Sequence, residues 1–161
     1  MGYKIDNVID LITVGGGVVR EKSETSAAAK VSVSAVADVE QKSDVYGNET
    51  SFTSFFLRGG LEGICSYNGK CHVGIEGSFV GVPGMLGTFA AVNVGADYGI
   101  SDHDTKVFLG GELAALDVVS PAVEMWSLEG RVTMDAADRS IGIGLFLNVG
   151  GSVRTAVSHN E

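Results

Sequence analysis

From Ala29 onward the chain repeats with a period of two. In Val31-Ser32-Val33-Ser34-Ala35-Val36-Ala37-Asp38-Val39, apolar positions alternate with small or polar ones. Similar stretches recur at 53–63, 71–79, 88–98, 107–116, 124–134, 141–149 and 153–158. Successive side chains leave a strand on opposite sides, so such alternation predicts strands with two unlike faces. Turn residues separate the stretches: Tyr46-Gly47-Asn48-Glu49, Asn68-Gly69, Val82-Pro83-Gly84, Ser101-Asp102-His103-Asp104, Ser120-Pro121, 135–138 and Gly150-Gly151. Many strands at short spacing with Gly-rich turns predict an all-β protein. Connections this short leave no room for crossover helices, so neighbouring strands are expected to be antiparallel. The expected body is an antiparallel, Gly/Ala-rich strand meander, arranged as a β-sandwich or a β-prism-like unit.

The first thirty residues read differently. Ile5, Val8, Ile9 and Ile12 fall at i, i+3, i+4 and i+7, the spacing of one helical face. Lys4, Asp6, Asn7 and Asp10 take much of the other side. Gly15-Gly16-Gly17 closes the segment, and the polar stretch 18–30 reads as a linker. The alternative is an N-terminal strand, since Val and Ile also favour strands. The expected division is residues 1–30 as an attachment arm, helical at its start and docking through Ile5, Val8, Ile9 and Ile12, and residues 31–161 as the β body.

Within the body the strands resemble weak copies of one another. Leu61-Glu62-Gly63, Ile75-Glu76-Gly77 and Leu128-Glu129-Gly130 share an apolar-Glu-Gly pattern, and Gly111-Glu112-Leu113 places another Glu in mid-strand. Repetition on this scale points to a meander built from one strand-turn unit. Glycine is 23 of 161 residues, about twice its average usage. Glycine weakens a strand and packs nothing, so it belongs where something must come close. One reading places Gly142, Gly144 and the neighbouring Phe146 at packing contacts between chains that meet around a common axis.

Composition removes several classes. The hydrophobic share is 45% and the charged share 19%, which argues against disorder. Acidic residues outnumber basic ones 20 to 11, for a net charge of −9, so a basic groove for nucleic acid is not expected. Asp6 and Asp10 interrupt the apolar run that a signal peptide would need, and no window of ~18 apolar residues offers a transmembrane helix. The expectation is a soluble protein made in a cytoplasm, without membrane contact.

Candidate chemistry is sparse. Cys65-Ser66-Tyr67-Asn68-Gly69-Lys70-Cys71 suits a hairpin whose loop brings Cys65 opposite Cys71. Directly opposed residues are near disulfide geometry, yet a cytoplasmic setting favours two reduced, packed thiols. His72 beside Cys71 suggests a metal trio, but adjacent strand residues point to opposite faces. Asp102-His103-Asp104 lacks the further oxygen ligands of a calcium loop and reads as a solvated turn. Glu62, Glu76, Glu112 and Glu129 are paired-carboxylate candidates, but their alternating positions suit the wet outer face of a sheet. Phe52, Phe55, Phe56, Phe79, Phe89, Phe108, Phe146 and Trp126 read as packing residues. Phosphate-binding, dinucleotide and serine-hydrolase patterns are absent, so no enzyme activity, cofactor or metal is expected.

The Asp44–Gly47 and Asp97–Gly99 steps, the small-residue strand Gly87-Thr88-Phe89-Ala90-Ala91-Val92-Asn93-Val94-Gly95-Ala96 and the short Gly turns resemble repeats of bacteriophage fibre proteins. That resemblance covers roughly residues 30–158. It implies a non-enzymatic virion protein, a fibre, head decoration or tail appendage, assembled in the host cytoplasm as a homotrimer. Its partners would be itself, other capsid or tail proteins and a host surface glycan. The alternative is a monomeric β-sandwich that binds a carbohydrate or another small ligand. An outer-membrane barrel has the alternation in its favour; the missing signal peptide and paired aromatic girdles stand against it.

Overall fold

In the computed structural model the chain is all-β and antiparallel, as the alternation predicts. The structure describes residues 2–45, 48–80, 88–116 and 125–153. Eight strands follow in order: β1 (Gly2–Glu21), β2 (Glu24–Val45), β3 (Asn48–Ser66), β4 (Cys71–Val80), β5 (Thr88–Gly99), β6 (Thr105–Leu116), β7 (Met125–Asp135) and β8 (Ile141–Val153). Each pairs with the next, and β8 returns to β1, so the sheet is a closed barrel rather than a sandwich or prism. The turns expected at 46–47, 82–84 and 120–121, and the stretch 154–158, lie outside the described residues.

The helical arm is corrected. Residues 4–14 lie within β1, which pairs with β2 along its length and with β8 from Asp10 to Glu21. Ile12 is outward and exposed, while the side chains of Ile5, Val8 and Ile9 lie outside the described residues. The i, i+3, i+4 spacing fits a short helix, but β1 is a stave that closes the ladder: β2 pairs with Ile5, Val8, Ile9 and Ile12 and β8 with Ile12, and that pairing overrides a local pattern of four residues. Gly15-Gly16-Gly17 is no joint either; it sits in the middle of that stave.

The register sets the barrel's dimensions. Followed once around, the pairing runs Asp10, Ala35, Gly59, Gly77, Val94, Leu109, Val132, Ile143 and back to β1 at Arg20, ten residues beyond its start. With ~3.3 Å per residue and ~4.8 Å between strands, that stagger over eight strands tilts them by about 41° and gives a radius of about 8 Å. Such a lumen is just wide enough to be filled by side chains.

Four tight connections gather at one mouth. Lys22-Ser23 joins β1 to β2 with positive φ at both residues (46° and 71°), the geometry that matches the twist of paired strands. In the β3–β4 turn Gly69 takes φ 89°, where a side chain would be strained. His103 and Arg139 hold left-handed positions in the other two turns.

Candidate functional site: the ionic core of the barrel

The alternation has the opposite sense to that of a soluble sheet protein. On β7 the burial pattern from Met125 to Asp135 is strictly alternating, with Ser127, Glu129, Arg131, Thr133 and Asp135 buried and Trp126, Leu128, Val132 and Met134 outside. The same phase holds around the barrel: Lys30, Glu62, Glu76, Asp97, Lys106 and Glu112 are buried, while Val31, Leu61, Ile75, Val94, Leu109 and Leu145 are exposed. Among the described residues the buried apolar side chains are few, namely Ala28, Ile64, Phe108 and Phe146. The four glutamates expected on a wet outer face are therefore inside, none more than 6% exposed. The apolar-Glu-Gly copies are one device: the Glu enters the lumen, and the residues flanking it face outward.

Arg131 organises the centre. Its guanidinium donates to Glu62 Oε1 and Oε2 at 2.6 and 2.9 Å and from Nε to Glu129 Oε1 at 3.0 Å. The bidentate fork matches the carboxylate plane, a match lysine cannot make. The same group stacks 4.1 Å from the Phe108 ring and 5.4 Å from that of Phe146. Lys30 supplies the second cation: its Nζ donates to Glu129 Oε2 at 2.6 Å, lies 2.9 Å from Glu62 Oε2 and stands 3.6 Å from Glu76. Burial pushes the Glu62 carboxyl up, but the Arg131 hydrogen bonds and charge more than offset it and hold it well below the carboxylate range. Burial and Arg131 press Lys30 down; Glu129, Glu62 and Glu76 more than restore it.

A second tier lies beside this one. Arg58 pairs with Glu112 at 2.5 Å and donates to Ser78 Oγ from Nε at 3.1 Å, with Asn93 between them. Near the tight-turn mouth Lys106 grips both Glu21 oxygens at 2.7 and 2.8 Å. A polar cavity of about 100 Å³ opens there, lined by Glu21, His72, Lys106, Thr133 and Asp135 among others. Burial, then Lys106, lowers the His72 pKa. Among the described residues no three His, Cys, Asp or Glu side chains are grouped to hold a metal. Asp102-His103-Asp104 forms the β5–β6 turn, with Asp102 Oδ1 accepting the Asp104 backbone N–H at 3.5 Å.

The lumen is plugged. Phe146, Glu129 and Asn93 are each under 2% exposed. The glycine richness follows from the plug. A Cβ at Gly144 would meet Phe146 at 2.9 Å and Arg131 at 3.1 Å, and one at Gly95 would meet the Phe108 ring at 2.5 Å. One at Gly142 would meet Thr133 Oγ1 at 2.6 Å. Gly142, Gly144 and Phe146, expected between chains, thus face their own lumen, where missing side chains make room for ring and guanidinium. Outward glycines such as Gly59 and Gly130 have open space instead.

Cys65 and Cys71 are directly opposed, their Cα atoms 4.1 Å apart, and form a disulfide rather than two reduced thiols. Opposed strand positions bring the sulfurs together without moving the backbone. Of the aromatic residues, Trp126, Phe79 and Tyr98 are outward and Phe108 and Phe146 inward, whereas the side chains of Phe52, Phe55 and Phe56 lie outside the described residues. The sequence reading missed Lys30, Arg58, Asp97, Lys106 and Arg131. Their signal was phase: each shares its face with glycine, serine and the glutamates. No family model, curated protein or solved structure matches the chain.

Proposed function

We propose that this protein is an integral membrane β-barrel whose apolar skin faces lipid acyl chains and whose ionic core seals the lumen. The observation that carries the reading is the outward face. On β1 the outward positions between Asp10 and Arg20 are Ile12, Val14, Gly16 and Val18. The ten residues separating the two charges rise about 25 Å along a barrel tilted by 41°, the height of the apolar band of membrane barrels. On the other strands the described outward positions between those levels carry no charge; they are Val, Leu, Ile, Ala, Gly, Met and aromatic residues with Cys and Thr near the rim. Outward Trp126 and Phe79 lie toward one rim and Tyr98 toward the other, where ring side chains sit at headgroup level. The plugged lumen favours a barrel acting as a membrane anchor or scaffold over an open channel. The disulfide suits a membrane bordering an oxidising compartment.

The competing occupant of the skin is protein: the homotrimeric virion component would cover the same face with other chains. One experiment separates them. The chain is refolded with and without detergent micelles, and Trp126 is probed with lipids brominated along their acyl chains. Quenching by the brominated lipid and dependence of the fold on detergent are expected. A folded, monodisperse trimer in detergent-free buffer at micromolar concentration would overturn the membrane reading and favour the virion one.

A further inference from the structure

The central cluster does not balance. Lys30 and Arg131 face four buried carboxyl groups, Glu62, Glu76, Asp97 and Glu129. Arg131 and Lys30 are committed to Glu62 and Glu129. Asp97 receives only Arg131 Nη1 at 3.7 Å, beyond hydrogen-bond reach, and Asp97 Oδ1 and Glu76 Oε2 are buried without a hydrogen-bond partner. Glu62 Oε1 and Asp97 Oδ2 flank the same Arg131 nitrogen, Nη1, at 2.6 and 3.7 Å. Two buried carboxylates crowded on one guanidinium nitrogen disfavour a second negative charge, so one of them holds a proton.

We propose that the barrel core is a one-proton binding site, in which Asp97 holds a proton beside Glu62 and releases it as the medium turns alkaline, leaving an uncompensated charge that loosens the ionic plug. A metal cation is the obvious rival occupant, and the space argues against it. Asp97 Oδ1 occupies the volume that a side chain at Gly74 would take, 2.0 Å from that Cβ position and close to the Ala96 carbonyl. A hard cation needs about six oxygen ligands at open angles, which this enclosed corner does not offer. Glu62 on β3, Arg131 on β7 and Lys30 on β2 act on Asp97, and the same lumen is lined by Arg58 on β3, Glu76 and His72 on β4, Lys106 and Glu112 on β6, and Glu129 and Asp135 on β7. Glu21 on β1 pairs with Lys106, and β8 contributes Phe146 and Asn148, which do not titrate. Burial first, then the charge and contact of Glu62, raise Asp97 to about 7, against the pull of Arg131 and Lys30. The site lies inside one barrel and does not depend on what covers the outside.

The test is infrared difference spectroscopy on the folded full chain, titrated from acid to alkaline, with the isosteric variants Asp97→Asn and Glu76→Gln alongside. A protonated-carboxyl C=O band is expected on the acid side of neutrality, lost with a midpoint near 7, absent in Asp97→Asn and retained in Glu76→Gln. The midpoint is expected to stay fixed when sodium replaces a bulky organic cation at constant ionic strength. Backbone hydrogen exchange of β3, β5 and β7 should quicken above the midpoint in the wild type and show no such step in Asp97→Asn. No band, a band that survives in Asp97→Asn, or a midpoint that moves with sodium would each overturn the assignment.

Discussion

Replacing Arg131 by methionine removes one side of the central ion-pair lattice while keeping most of its bulk against Phe108. Four hydrogen bonds to Glu62 and Glu129 disappear. Among the described residues Lys30 is then the one cation in contact with either carboxylate. Removing one partner of a buried pair costs about 3–5 kcal/mol, because a desolvated charge is left behind. Unfolding in urea, followed by Trp126 fluorescence in micelles, should show a loss in this range near neutral pH. Adding Glu62→Gln to Arg131→Met should recover at least about 1 kcal/mol, since neighbouring charges couple. The pH dependence has a defined sign. In the wild type the Glu62 carboxyl lies well below its ordinary value, so its contribution is present above the ordinary carboxylate range and is lost only in strong acid. In Arg131→Met that restraint is gone and burial raises the carboxyl. The folded variant then binds protons more readily than the unfolded chain, and its stability rises as pH falls through the raised value. A deficit that shrinks on acidification is expected. A deficit below about 1 kcal/mol, or one that grows on acidification, would refute the argument that Arg131 holds the plug together.

Three further outcomes are expected. Leu128→Arg, on the outer face near mid-height, should cost about 2–4 kcal/mol in a bilayer and almost nothing if that face meets water; vesicle-based unfolding decides. Gly144→Val should lose about 1–3 kcal/mol by driving its side chain into Phe146 and Arg131, whereas Gly130→Val, with open space around its Cβ, should be neutral or stabilising; equal effects in thermal melts would refute the lumen assignment of these faces. Cys65→Ser with Cys71→Ser should lower stability by at most about 2 kcal/mol, because a bridge six residues apart closes a short loop, and β circular dichroism should persist.

The strands and their antiparallel order were legible because alternation and turn chemistry are local signals. The hairpin at Tyr67-Asn68-Gly69 could be written down from three residues. Closure could not, since β1 meets β8 across more than a hundred residues and nothing local marks either edge as paired. The helical reading of Ile5, Val8, Ile9 and Ile12 failed for the same reason: four residues fit two periods, and the contacts that choose between them lie on β2 and β8. The candidate site was missed through one assumption. Alternation reports two unlike faces but not which faces inward, and the apolar face was placed inside by analogy with soluble sheets. The company of Glu62, Glu76, Glu112 and Glu129 held the correction. Their face also carries Lys30, Arg58, Arg131 and most of the crowded glycines, and a wet surface has no need of missing side chains beside large charged ones.

The skin and the core of this barrel require one another. Among the described residues twenty-six large hydrophobic side chains are exposed, all but Tyr67 and Ile100 on strands and each 41–67% uncovered outside the turns. Covering them would contribute roughly 1 kcal/mol apiece, of order 20 kcal/mol in total. A folded domain has only about 5–15 kcal/mol of net stability, so whatever covers this face decides whether the barrel persists. The described interior cannot take that role, because among the described residues four buried apolar side chains stand against a lattice of charges whose desolvation costs several kcal/mol per ion. In water both faces would oppose folding. In hydrocarbon the outer face is at home and an exposed backbone group or charge is not, which favours a closed ladder that pairs its own backbone and turns its charges inward. The charges inside then set the register: a one-residue slip of any of β2 to β7 would turn a buried charged side chain to the outer face.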